Sequence, residues 1–130
     1  MYHGVPNTDI EKIKTALWQI VTDATVTDNV FTSNRKSKSD LSDFAVVGLN
    51  GSVVIYDGGA SCTCFVALYA KDIDNIGTEN MGGLTAMYDA LVLAFPYNVK
   101  PYTFSLGNPF GRRDSHGFHS TIVNIECKIY

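Results

Sequence analysis

The strongest constraint on the fold is a regular alternation of apolar and polar side chains in STIVNIECKIY, residues 120–130. A period of two residues places these two kinds of side chain on opposite faces of a β-strand. The pattern therefore predicts a half-buried antiparallel strand, lying either in the interior of a sheet or at an edge that meets another subunit. Its apolar face comprises Val123, Ile125, Cys127 and Ile129, and its polar face comprises Asn124, Glu126 and Lys128.

Runs of β-branched and apolar residues predict further strands in the middle of the chain. Phe44–Val47 and Val53–Tyr56 flank Asn50-Gly51, a pair that strongly favours a two-residue hairpin turn. A second turn is predicted at Asp57–Gly59. The nearly continuous apolar run Cys62–Ala70 predicts a central strand that is covered on both faces.

Two segments carry the spacing of amphipathic helices. Thr8–Glu11 fits the capping box that opens a helix, and Trp18 lies beside its apolar stripe, either at the border or exposed to a partner. A second helix is predicted to be capped by Thr78, to begin at Glu79 and to end at Pro96. The predicted stripe of the first helix is Ile10, Ile13, Leu17, Ile20, Val21 and Ala24, and that of the second is Met81, Leu84, Tyr88, Leu91 and Phe95.

These elements predict one α+β domain over residues 1–130. A short strand at Tyr102–Leu106 completes the order α-β-β-β-α-β-β. We expect a two-layer domain, with a mainly antiparallel sheet of four to five strands packed against the two helices. The polar residues 33–43 and the glycine-rich residues 107–119 are predicted to be loops.

Composition and charge narrow the classes of function. The hydrophobic fraction is 45% and the net charge is −3, which gives no electrostatic basis for specific nucleic-acid binding. No apolar run is long enough for a membrane span, and the amino-terminal stretch does not resemble a signal peptide. The three cysteines are expected to be reduced in an intracellular setting. The basic cluster Asn34–Lys38 suggests either a solvated loop or a contact with phosphate or a partner.

Asp114, His116 and His119 form the clearest candidate for a metal site. Imidazole suits zinc, iron or nickel, and a carboxylate can complete the set of ligands. The alternative is a turn at Gly117 with two partly exposed histidines, because the spacing matches no standard metalloenzyme signature. We therefore predict no metal ligands and no cofactor.

The cysteines and serines suggest no catalytic centre either. Cys62 and Cys64 lie on one face of a predicted strand, and Cys127 lies on the apolar face of another. Thiols spaced in this way within a strand suit zinc poorly, so core packing is the preferred interpretation. No serine or cysteine is framed by a nucleophile motif, and no glycine-rich stretch has the spacing of a phosphate-binding loop. We predict no catalytic residues.

Arginine and aromatic residues cluster between the last two predicted strands. Phe110, Arg112, Arg113 and Phe118 combine the side chains that protein interfaces favour. They are predicted to contact another subunit or a neighbouring ring, and the basic side chains of Arg35, Lys36 and Lys38 are added to that surface.

The order of elements resembles one known group of proteins. A leading helix with ALWQIV is followed by strands in DLSDFAVVGL and CTCFVALYAKD, a helix in GGLTAMYDAL and the closing DSHGFHSTIVNIECKIY. Over residues 9–130 this layout resembles the tail-terminator, tail-completion and neck-ring proteins of tailed bacteriophages. The resemblance implies a small α+β subunit without an active site, which assembles into rings, commonly hexamers, between the capsid connector and the tail.

On this resemblance we expect a structural subunit of a phage neck or tail. Its expected partners are further copies of itself and the portal, neck and tail proteins of the virion, after assembly in the host cytoplasm. The loops Ser33–Ser42 and Gly107–His119 and the terminal strand are then expected to make contacts. Two other functions stay open: a small metal-dependent enzyme using Asp114, His116 and His119, and a monomeric binding module with an apolar pocket.

Overall fold

The computed structural model describes residues 9–32, 42–74, 77–114 and 117–130. In these ranges the chain forms two helices and seven strands. They are α1 (Ile10–Asp23), β1 (Val30–Phe31), β2 (Asp43–Leu49), β3 (Val54–Tyr56), β4 (Gly59–Lys71), α2 (Met81–Val92), β5 (Tyr97–Val99), β6 (Tyr102–Asp114) and β7 (Phe118–Ile129).

The strands form one sheet in the order β1-β2-β4-β7-β6-β5, and β3 pairs with the same edge of β4 as β2. The pair β1–β2 is parallel and the other pairs are antiparallel. The predicted α+β class is confirmed, but the predicted strand count and order were wrong and the sheet is mixed. The order is α-β-β-β-β-α-β-β-β, because β1 and β5 have only two and three residues, too few to show an alternation.

The hairpin predicted at Asn50-Gly51 was wrong. β2 and β3 both run antiparallel to β4, so the chain keeps its direction between them. Residues 50–53 bulge out while Asn50 N donates to Thr63 O at 2.7 Å, and Gly51 takes a positive φ of 105°. Gly51 does adopt the positive φ expected of a turn glycine, but the pairing of both β2 and β3 with β4 prevents the chain from reversing there. The turn predicted at Asp57–Gly59 is confirmed, since Asp57 and Gly58 join β3 to β4.

The loop predicted over residues 107–119 was also wrong, because β6 continues to Asp114 and forms a long hairpin with β7. The register shifts between Leu106 and Pro109. A Cβ at Gly107 would lie 2.9 Å from the carbonyl oxygen of Asn124, so glycine permits this irregularity. Pro109 lies beyond the three residues of β6 that pair with β5, where a strand can lack an N–H donor. β7 lies between β4 and β6, so the final strand is interior.

Helix α1 begins close to the predicted capping box, but its N-cap is Asp9, whose Oδ1 accepts a hydrogen bond from Glu11 N at 2.8 Å. Ile10 is 47% exposed, although it was predicted to lie on the apolar stripe. Trp18 is half-buried, and its Nε1 donates to the carbonyl oxygen of Val30 at 3.0 Å, which ties α1 to β1. The buried residues of the stripe are Ile13, Leu17, Ile20 and Val21.

Helix α2 begins later than predicted, at Met81, and its N-cap is Asn80 rather than Thr78. Asn80 Oδ1 accepts from Gly83 N at 3.0 Å, and a Cβ on Gly83 would lie 2.7 Å from Asn80 Nδ2. Thr78 instead donates through its hydroxyl to Asp74 Oδ2 at 2.6 Å. Of the predicted stripe, Leu84, Leu91 and Phe95 are buried, Tyr88 is half-buried and Met81 is exposed, while Met87 is buried without having been predicted.

The sheet has two faces, which we call the helix face and the second face. On the helix face, both helices pack on apolar residues from β2, β4, β6 and β7. On the second face, the ring of Phe44 stacks on that of Tyr69, with the ring centroids 4.5 Å apart. The ring of Phe118 meets Phe44 edge-on, at a centroid distance of 5.4 Å. Phe44 and Phe118 are almost fully buried there, so the curled sheet has a second, smaller apolar cluster.

Candidate functional site

Two strand edges that are unpaired among the described residues lie at the same level of the sheet. The pairing register places Ile55 and Val99 at the two ends of one transverse row, and Val54 and Asn98 at the ends of the next. At this level the sheet has five strands in the order β3-β4-β7-β6-β5. The complete rows are Ile55–Ala60–Ile129–Tyr102–Val99 and Val54–Ser61–Lys128–Thr103–Asn98.

The free edge of β3 is apolar and exposed. Val54, Ile55 and Tyr56 are 59%, 53% and 44% exposed, and within the described ranges β3 pairs only with β4. An exposed apolar edge strand presents unpaired N–H and C=O groups that can accept another strand. Asp57 follows β3 directly and is exposed, so an acidic side chain lies at the end of this edge.

The free edge of β5 has different residues from that of β3, but the two strands run in the same direction. Tyr97 is 41% exposed, and the exposed Lys100 follows the strand. In the part of the chain that the structure describes, β5 pairs only with β6. The antiparallel steps from β3 through β4, β7 and β6 leave β3 and β5 running the same way. An acidic and a basic residue therefore lie at corresponding ends of the two edges.

A groove of about 600 Å³ lies beside β5 on the helix face, between the ends of α1 and α2. Tyr97 lines it together with Leu93, which is 88% exposed. The other lining residues are mostly apolar, with Asp23 and Thr25 as the polar ones: Ile20, Asp23, Ala24, Thr25, Ala90, Ala94 and Pro96. The groove is continuous with the β5 edge, because Tyr97 belongs to both.

The predicted interface residues lie in different environments. Phe110 is 48% exposed on β6, where it is opposite Ile122 on the second face. Phe118 is only 2% exposed and packs within the subunit. Arg112 and Arg113 lie on β6, opposite Ser120 and His119 of β7. Arg35, Lys36 and Lys38 lie outside the described residues.

His119 has a partner that the sequence did not reveal. Its Nδ1 lies 2.6 Å from Oδ1 of Asp72, whose side chain is 3% exposed. The backbone N–H of Asp72 also donates to Gly117 O at 2.9 Å, so the end of β4 is fastened to the start of β7. The side chain of Asp114 and all of His116 lie outside the described residues. Among the groups that are described, no set of three potential ligands is placed to hold a metal.

The three thiols pack in the core on the helix face, which confirms the predicted packing role. The Sγ atoms of Cys62 and Cys64 are 3.9 Å apart, and Cys127 is opposite Cys62 on β7. All three are free and buried. Hydrogen bonding with Cys62, together with burial, raises the pKa of the Cys64 and Cys127 thiols, so both are neutral at physiological pH.

These features define a class of fold: an α+β domain in which a curled mixed sheet carries two helices on one face. In the described ranges, neither helix is long and apolar enough to cross a membrane. The arrangement offers strand edges and side chains for protein contacts.

Two solved structures are similar to this chain. A chain from the virion of a native gene transfer agent particle matches with a TM-score of 0.62 at 9% identity, over 90% of this chain and 93% of that one. The bacteriophage SPP1 gp17 protein matches with a TM-score of 0.49 at 15% identity, over 91% of each chain. No protein-family model and no curated protein matches the sequence. The match to the gene transfer agent virion shows that this fold occurs in a particle protein, in agreement with the predicted resemblance at the level of the fold.

Proposed function

We propose that this chain is a structural subunit of the neck or tail of a phage-like particle, and that it acts as a ring. The observation that supports this is the likeness to a virion chain, which extends over nine-tenths of both proteins at a TM-score of 0.62. A likeness across the whole length suggests that the two chains use the same scaffold in a particle. In this role the subunit binds other proteins and catalyses no reaction.

A ring requires two different, complementary surfaces on each subunit, because a head-to-tail contact is repeated by rotation until it closes. The sheet offers two unlike edges, β3 and β5, for the contact within the ring. The β6–β7 hairpin carries Phe110, Arg112 and Arg113, which we propose for contacts with a neighbouring ring. Arg35, Lys36 and Lys38 belong to the same proposal.

The partners proposed for the two ring faces are the portal or connector on one side and the tail tube on the other. The family resemblance implies a hexamer, or a number of subunits related to the symmetry of the portal. The partners and the number of subunits are both proposed for the ring within the assembled particle.

Native mass spectrometry of the purified protein over a concentration series tests this function, because it reports subunit number and bound metal together. The expected result is a metal-free ring, or growth towards one with increasing concentration. A monomer that stays monomeric at every concentration and binds no particle component would contradict the proposal. A monomer carrying one metal would instead support an enzyme built on Asp114, His116 and His119, and a bare monomer that binds a small ligand would support a binding module.

A further inference from the structure

We propose that neighbouring copies of this chain join by continuing the sheet, with the free edge of β3 in one subunit pairing with the free edge of β5 in the next. This inference rests on the proposed ring and names its contact surface. The occupant of each edge is a second copy of the same chain. Pairing of backbone N–H and C=O groups across the contact would satisfy groups that both edges leave unpaired within the described parts of one subunit.

The position of the two edges supports this pairing. Ile55 on β3 and Val99 on β5 end the same transverse row of the sheet. A rotation about an axis that runs along the strands, without any shift along that axis, therefore brings β3 beside β5 of the next copy. Both strands run in the same direction, so the new pair is parallel, with evenly spaced hydrogen bonds. The same operation repeated around the axis closes a ring.

The rotation also keeps the two faces of the sheet in register. Ile55 is opposite Ala60, a core residue of the helix face, and Tyr97 is opposite Phe104 on that face. At the proposed contact, Ile55 of one copy lies beside the groove that Tyr97 and Leu93 line in the next. This places a branched apolar side chain that is 53% exposed against apolar groups that are also exposed.

The charges at the ends of the two edges are complementary. Asp57 follows β3 and Lys100 follows β5, and both are exposed. In the parallel arrangement these residues lie at the same end of the paired strands. The row alignment puts Tyr56 opposite Lys100 of the next copy, so Asp57 comes within one residue of that lysine. Opposite charges at this end favour the parallel direction and the proposed register.

Cysteine cross-linking tests the register directly. In a chain carrying both Val54→Cys and Asn98→Cys, the new thiols lie side by side across each contact, since these positions end one row. Mild oxidation is expected to give a ladder of covalent oligomers on a denaturing gel. Neither single variant is expected to form the ladder, and the native thiols are buried. A covalent dimer from Val54→Cys alone would show that β3 pairs with β3, which would overturn the proposal.

Assembly of charge variants provides a second test. Ile55→Lys is expected to weaken ring assembly about tenfold or more, whereas Ile73→Lys, at a residue that is 65% exposed outside the two edges, leaves it unchanged. Asp57→Lys and Lys100→Asp should each weaken assembly, and the double exchange should restore it. Circular dichroism checks that each variant is folded.

The outcomes separate the two proposals. A wild-type ring that persists undiminished in Ile55→Lys and gives no ladder in the cysteine pair overturns the edge contact and leaves the ring function intact. If the wild-type chain stays monomeric at every concentration and binds no particle component, the proposed function itself fails, and the edge contact fails with it.

Discussion

The imidazole of His119 and the carboxylate of Asp72 form a largely buried pair, with Nδ1 and Oδ1 2.6 Å apart. The residues are 47 positions apart in the sequence, and the pair joins the end of β4 to the start of β7. It is a long-range polar contact at the end of the sheet where the β6–β7 hairpin turns. His119, which the sequence offered as a candidate metal ligand, therefore has a contact within the fold.

Removing the histidine should destabilise the fold. His119→Ala leaves a carboxylate with 3% exposure without its partner, so we expect the free energy of unfolding to fall by about 2–3 kcal/mol. Urea denaturation of the purified subunit measures this change. Glu126→Gln, at an exposed position of β7, is the matched control and should change stability by less than about 0.5 kcal/mol. A loss below that value in His119→Ala would show that the pair contributes little.

The two glycines at the start of α2 should respond differently to alanine. At Gly82 the nearest atom to a new Cβ is Asn80 Oδ1 at 4.0 Å, so Gly82→Ala should stabilise the protein by about 0.5–1 kcal/mol through helix propensity. At Gly83 the new Cβ would displace the Asn80 side chain and break the N-cap, which costs about 1 kcal/mol. In Gly83→Ala this loss offsets the gain from helix propensity, so the free energy of unfolding should change little. Thermal unfolding compares the two, and equal effects would contradict the capping role of Asn80.

Substitution of the two aromatic residues of the β6–β7 hairpin should have different effects, on stability for Phe118 and on assembly for Phe110. Phe118→Ala removes a ring that is 2% exposed and packed on Phe44, so we expect a loss of about 3–5 kcal/mol in stability. Phe110→Ser changes a half-exposed ring and should leave the unfolding free energy within about 1 kcal/mol. If Phe110 contacts a neighbouring ring, this second variant should reduce binding to the partner ring in native mass spectrometry. Normal binding would remove Phe110 from the proposed surface.

The core thiols predict a decline in stability at alkaline pH. Cys64 and Cys127 have raised pKa values in the folded state, while hydrogen bonds with Cys127 and Cys64 lower the pKa of Cys62 to about 4. Unfolded thiols ionise near the ordinary value of 9.0, so above that pH Cys62 is ionised in both states and only Cys64 and Cys127 differ. Above that pH the folded protein holds more protons than the unfolded chain, so stability falls as pH rises. We expect lower urea midpoints at about pH 10.5 than at about pH 9.5, with the difference reduced in a Cys64→Ala, Cys127→Ala double variant. An unchanged difference would assign the decline to other groups.

Native thiols should also react slowly with a disulfide reagent at pH 7.5, because all three are buried and the reagent cannot reach them in the folded subunit. Rapid labelling of the folded subunit would contradict the packed core described above.

Local patterns in the sequence determined the elements that have a long period and a clear core face. The alternation over residues 120–130 correctly predicted β7, and four residues of the α1 stripe are buried as expected. The apolar run Cys62–Ala70 correctly predicted a central strand, which has neighbours on both edges. The predicted cover on both faces was only partly right, since Thr63 is exposed and Phe65 and Tyr69 are half-buried on the second face. These features succeed because burial on one face imposes a period that is visible without knowing the partner.

Short strands and strand partners were decided by the tertiary structure. Asn50-Gly51 has the residues of a hairpin turn, yet β2 and β3 continue along one edge of β4. The glycine-rich residues 107–119 suggested a loop, yet β6 runs through them to Asp114, and its irregularity accommodates Gly107 beside Asn124. Turn propensities are worth little energy compared with the hydrogen bonds and packing of a long paired strand, so the ladder prevails.

For the candidate interface too, some features followed from the sequence and others only from the tertiary structure. The sequence by itself determined the absence of a recognisable catalytic motif and the α+β class, and it supplied the resemblance in the order of elements. Only the tertiary structure decided that Phe118 is buried, that His119 meets Asp72, and that Ile55 and Val99 end one row of the sheet. The physical reason is that these relations depend on the register between strands that are distant in the chain, and register is set by the packing of the whole sheet.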